Sequence, residues 1–125
     1  MSEEEVKDEM GRANKALKSA EILYKEKLYE DSISRSYYAV LHAAKAALLS
    51  RGIEVDSHEA VKRLFGLHII KTGISEKYYG LILREEQDDR MMADYNVGFS
   101  PEEERVFQRL EDARDFVSKM ESIIG

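Results

Sequence analysis

The chain has 125 residues, enough for one domain, and at that length folding buries roughly two-thirds of the surface. A hydrophobic fraction of 43% supplies a core and argues against disorder, while the lack of cysteine excludes disulfides, thiolate catalysis and cysteine-ligated zinc. Against 25 acidic residues there are 19 basic ones, a net charge of −6, so no broad electrostatic field draws the chain to nucleic acid and any RNA contact needs a local basic pocket.

The acidic start, Met1-Ser2-Glu3-Glu4-Glu5, is not that of a signal peptide. No apolar run approaches the ~18 residues of a membrane span. A cytoplasmic protein without membrane contact is expected.

The patterning predicts five helices and no strands over a single domain, 1–125. Ser2 with Glu5 forms a capping-box pattern for the first helix, 3–25, whose Val6, Met10, Ala13, Leu17, Ala20 and Tyr24 recur at steps of four and three. The second, 29–51, stops at Gly52, a residue suited to a left-handed cap. It has no fully solvated face at about 100° per residue. Ile33, Tyr37, Val40, Leu41, Ala44 and Leu48 form an apolar stripe. Ser32, Ser36, Ala39, Ala43, Ala47 and Ser50 form a stripe of small residues that lets another helix approach closely. Arg35, Tyr38, His42 and Lys45 form a polar one. A helix committed on two faces belongs at the centre of its fold.

Asp56 or Ser57 caps the third helix, which carries Val61, Leu64, Phe65 and Ile69 and ends at Gly73. Gly66 inside it costs roughly 1 kcal/mol relative to Ala, which suggests close packing there. Ser75 starts the fourth, with Tyr78, Tyr79, Leu81 and Ile82, and it runs to about residue 93 before a loop at 94–99. Ser100-Pro101-Glu102-Glu103 reads as cap, Pro at the first helical position and acids facing the dipole. The last helix carries Val106, Leu110, Ala113, Phe116, Val117, Met120 and Ile123. Short connections make neighbouring helices antiparallel.

Two constellations bear chemistry. Arg35 and His42 lie nearly two turns apart, so both leave one face about 10 Å apart along the axis. Arg35 could hold a phosphate while His42 moves a proton, with Tyr38 between them stacking a base or donating a hydrogen bond. The bland alternative pairs Arg35 with a carboxylate and leaves His42 a satisfied core or interface histidine. The second constellation is Arg90, Asp94 and Tyr95; Arg90 and Asp94 at i, i+4 suit an ordinary salt bridge. Asp88, Asp89 and Asp94 lack EF-hand spacing, and His42, His58 and His68 lack i, i+4 spacing, so neither a metal nor a zinc hydrolase is expected. No Gly-rich phosphate loop and no nucleophile elbow exist, and no cofactor is expected. His58, beside the third cap, is assigned to local structure, and Tyr24, Tyr29, Tyr37, Tyr78 and Tyr79 to the core edge.

Leu28-Tyr29-Glu30-Asp31-Ser32, then Ser34-Arg35-Ser36-Tyr37-Tyr38-Ala39, Ala43-Ala44-Lys45-Ala46-Ala47-Leu48-Leu49, Gly52, His58, Phe65 and finally Arg90-x3-Asp94-Tyr95 follow one another in an order that resembles the HEPN domain, in its small stand-alone UPF0332-like branch. The resemblance covers nearly the whole chain. It implies an all-α, five-helix antiparallel bundle that dimerises, and partnership with a minimal nucleotidyltransferase. For many HEPN proteins it also implies a metal-independent endoribonuclease built on Arg-x4–6-His across the dimer. Arg35-x6-His42 meets that spacing, whereas the late motif carries Asp94 near where active relatives carry His.

The leading expectation is therefore a homodimeric HEPN partner of a minimal nucleotidyltransferase in a toxin–antitoxin-like pair. Nucleotide or RNA would bind in one polar cleft of Arg35, Tyr38, His42, Arg90, Asp94 and Tyr95 near the dimer axis. The alternatives are an endoribonuclease toxin with Arg35 and His42 as catalytic residues, and a helical interaction module without a ligand.

Overall fold

The computed structural model describes residues 3–125, so the Ser2 half of the capping-box pattern lies outside the described residues. Among them the chain forms five helices and no strand: α1 (Glu3–Lys25), α2 (Tyr29–Ser50), α3 (His58–Phe65) continued by a π-helical turn (Gly66–Ile70), α4 (Lys77–Tyr95) and α5 (Glu103–Ile124). No described helix is long and apolar enough to cross a membrane.

Helix α2 is the axis of the bundle. Thirteen of its 22 residues are buried, and it packs against α1, α3, α4 and α5. Its small residues meet the buried Ala13, Ala16 and Ala20 of α1, so the two backbones approach closely, and Ser32 Oγ donates to the Ala20 carbonyl across the seam at 2.8 Å. The opposite side of α2 meets Phe65, Ile82, Leu83, Phe116, Val117 and Met120 in one continuous core. The α1 stripe is rotated from its expected setting. Glu9, Ala13, Ala16 and Ala20 are the buried positions, while Met10 and Leu17 are partly buried against the core.

The helix ends follow their local chemistry. After α1, Lys27 takes the left-handed conformation, φ 62°, and the chain closes with Leu28 N–H on the Leu23 carbonyl at 2.9 Å. After α2, Gly52 at φ 80° lets Ile53 N–H reach the Leu48 carbonyl at 3.0 Å. Ser57 caps α3, accepting from Ala60 N–H at 3.1 Å.

Other boundaries depart from expectation. The third helix switches from α to π at Gly66 rather than running to Gly73, and a Cβ at Gly66 would meet nothing within 4 Å, so no close packing occurs there. Gly66 is where the turn widens. Helix α4 starts at Lys77, not Ser75, whose side chain is buried. Helix α5 starts at Glu103 with extended backbone at Glu102, while Pro101 is buried ahead of it and Ser100 caps nothing. Burial of Pro101 holds the entry extended past the position the cap signal marked. Helix α4 also runs through Tyr95, which places Asp94 and Tyr95 on the helix instead of in the loop.

Candidate functional site

The polar stripe of α2 opens toward α1. Arg35, Tyr38 and His42 line a cleft of about 380 Å³ with Arg12, Lys15, Ala16 and Ser19 of α1. The alanines that bring α1 close to α2 also bring its basic side chains to the rim. In an acidic chain, Arg12, Lys15 and Arg35 thus gather positive charge at one place.

Among the described residues Arg35 pairs with no carboxylate. Its guanidinium lies over the Tyr38 ring, 4.6 Å from the centroid, which leaves its N–H groups available. His42 is half-buried and satisfied by a hydrogen bond. Its Nδ1 is 2.7 Å from Oε2 of Glu9, a carboxylate 8% exposed, whose other oxygen lies 3.3 Å from Arg12 and 3.5 Å from Lys45. Against a carboxylate, a neutral imidazole must carry its proton on Nδ1, and that leaves Nε2 as an acceptor.

The second constellation adjoins the first through Tyr38. Arg90 of α4 donates from Nη2 to the Tyr38 hydroxyl at 3.0 Å. Its Nε lies 2.8 Å from Asp94 Oδ2, an ion-pair distance at which the N–H is not aimed at the oxygen. Ser34 of α2 donates to the other Asp94 oxygen at 2.8 Å, so Asp94 ties α4 to α2. The Arg90 guanidinium also faces the rings of Tyr37 at 5.4 Å and Tyr95 at 5.9 Å. Tyr95 is 70% exposed and touches the cluster through Arg90. All six residues expected in one site therefore form a connected group. Arg35, Tyr38 and His42 line the cleft, and Arg90, Asp94 and Tyr95 stand behind Tyr38.

The aspartates diverge. Asp94 faces Arg90, whereas the buried Asp89 is held by Arg105 and Arg109 of α5. No group of three or more metal-ligating side chains occurs among the described residues.

Two parts of this region were not foreseen. Glu9, Arg12 and Lys15 come from α1, where no sequence motif marks chemistry. The signal existed, since Glu9 continues the four-three spacing of Ala13, Ala16 and Ala20. His58 is the other. Its ring stands edge-on to Tyr37 and Tyr38 of α2, at 6.4 and 6.0 Å between centroids. Partial burial lowers its pKa below the ordinary histidine value, and the neighbouring Arg90, His42 and Lys45 push it in the same direction.

The HEPN domain profile matches residues 6–125. The chain is 34% identical over 121 residues to a candidate toxin of Methanocaldococcus jannaschii, covering 97% of this chain and 90% of that one. It is 39% identical over 89 residues to a UPF0332 protein of Pyrococcus horikoshii, covering 71% of this chain and 63% of the relative. A UPF0332 protein of Thermotoga maritima is 29% identical over 113 residues, covering 90% of this chain and 86% of its own length. Bundle, motif order and profile agree over nearly the full length, and the chain belongs to the HEPN domain family.

Proposed function

We propose that this protein is the HEPN component of a toxin–antitoxin-like pair, and that it binds a nucleotide or RNA through phosphate at the Arg35–Tyr38–His42 cleft. The observation that carries this reading is the Arg35 guanidinium placed over the Tyr38 ring, 4.6 Å from its centroid, beside Arg12, Lys15 and His42. A guanidinium held over a ring, with its N–H groups unengaged, suits bidentate phosphate contact, and the adjoining tyrosines suit a base or ribose. The candidate-toxin name of a relative supports the pairing, and the family resemblance points to a minimal nucleotidyltransferase as the other member. A homodimer is part of the proposal. Met91, Met92, Tyr95 and Val97 are exposed together at the end of α4, next to Arg90 and Asp94.

The test is twofold. Purification from the native host with mass spectrometry should recover a nucleotidyltransferase and a bound nucleotide or RNA. Binding of a short oligoribonucleotide should weaken at least tenfold in Arg35→Ala, with only a shallow salt dependence because the basic region is small. Equal binding by wild type and Arg35→Ala would remove the cleft from consideration.

The Glu9–His42 hydrogen bond favours a second reading, a metal-independent endoribonuclease. A carboxylate on Nδ1 orients the imidazole and leaves Nε2 free to move a proton. RNA cleavage that survives EDTA and is lost in His42→Ala would establish it. Absence of cleavage at any dose, with binding intact, would leave the binding role alone.

A further inference from the structure

His58 opens α3 immediately after the Ser57 cap, and its ring nitrogens make no hydrogen bond among the described residues. If its task were only to fill space against Tyr37 and Tyr38, an apolar side chain would do it without carrying a titratable group. Instead the imidazole shares a small cleft of about 220 Å³ with His42 and Lys45, between α2 and the start of α3. His42 and His58 flank the same phenol ring, at 6.4 and 6.0 Å between centroids, and Arg35 and Arg90 lie within 4.6 and 5.6 Å of its centre. Two arginines and two histidines therefore converge on Tyr38, and His58 is the one contributed by α3.

We infer that His58 is a fifth member of the site formed by Arg35, Tyr38, His42 and Arg90, and that it contacts a nucleotide phosphate as the imidazolium, so that ligand binding takes up a proton. This rests on the reading of the cleft as a phosphate site.

The charges around His58 give the reason. Helix α2 presents Tyr37, Tyr38, His42 and Lys45 to it, α4 presents Arg90, and Asp56 lines the same small cleft from the preceding loop. Glu9 of α1 is engaged with His42, Lys45 and Arg12 instead. Partial burial, reinforced by these cations, lowers the His58 pKa in the ligand-free protein and favours its neutral form. A phosphate oxyanion placed among those cations reverses the sign of the local field and favours the imidazolium. Affinity then rises as pH falls from above the His58 midpoint of the complex, by up to about tenfold per pH unit. It levels off below the midpoint of the free protein.

Proton NMR titration of the three histidine Cε1–H signals tests this, with and without saturating ligand. One probe is a short oligouridylate lacking terminal phosphate, whose diesters do not titrate in this range; the other is uridine monophosphate. The expected result is an upward shift of the His58 midpoint on binding, while His68, which lines neither cleft, stays put. A shift with the oligomer identifies a phosphodiester ligand, and a shift with the monophosphate alone identifies a terminal phosphate. In His58→Asn, checked for fold by its amide spectrum, the ratio of the oligouridylate Kd at pH 8 to that at pH 6 should fall toward one. If ligand binds and Arg35→Ala weakens it, yet the His58 midpoint is stationary or His58→Asn keeps the pH dependence, His58 is no part of a sound site. If neither probe binds, the phosphate reading and this inference fall together.

Discussion

Glu9 Oε2 stands 2.7 Å from His42 Nδ1, a contact across the α1–α2 seam between residues 33 positions apart. It fixes which nitrogen of the imidazole carries the proton. Glu9→Gln should therefore broaden the tautomer population of His42, visible in long-range 15N–1H correlation spectra, and cost about 1.5–3 kcal/mol, the usual worth of a hydrogen bond to a charged group. An unchanged His42 nitrogen spectrum would show that Glu9 does not set the tautomer.

Ala43 is fully buried on the small-residue face of α2. A larger side chain there must push α2 off its neighbours. Ala43→Leu should destabilise by about 1–3 kcal/mol in denaturant titrations. An unaltered unfolding midpoint would mean that this face tolerates expansion.

Lys27 occupies the left-handed region at φ 62° without being glycine. Lys27→Gly relieves that strain, partly offset by the greater freedom of glycine in the unfolded chain. A net gain of about 0.5–1 kcal/mol is expected, read as a higher Tm. A lower Tm would show that the lysine side chain contributes more than its backbone costs.

Glu86 lies fully buried between α4 and α5, and neither carboxyl oxygen has a hydrogen-bond partner. Burial raises its pKa well above the ordinary value of 4.5; Arg109 opposes the shift, and Asp112, Asp89 and Glu85 reinforce it. The native state keeps the proton where the unfolded chain has lost it. Above the unfolded value the native state thus binds more protons, and stability falls as pH rises, up to the native pKa. Glu86→Gln lacks this titration. Its stability relative to wild type should climb between pH 5 and 7, with a slope of up to about 1.4 kcal/mol per pH unit. A difference independent of pH would mean that Glu86 ionises normally in the folded protein.

Much of the bundle could be read from local pattern. The two committed faces of α2 made it the central helix, because a helix with no solvated side must be covered on more than one. Gly52 and Ser57 marked their boundaries through backbone chemistry that acts within a few residues. The same logic misplaced the starts of α4 and α5. Burial of Ser75 and Pro101 is a tertiary event, and it overrode signals that suited an isolated helix.

The candidate site divides along the same line. Arg35, Tyr38 and His42 are neighbours by helical periodicity alone, and Arg90 with Asp94 follows from i, i+4 spacing; sequence by itself set both groups. What joins them is a hydrogen bond between positions 38 and 90, and what orients His42 is a carboxylate on another helix. His58 reaches the same ring through the packing of α3 on α2. Periodicity fixes which residues share a face, because helix geometry repeats every 3.6 residues. Which faces meet depends on how five helices divide one core, and only the tertiary structure decided that.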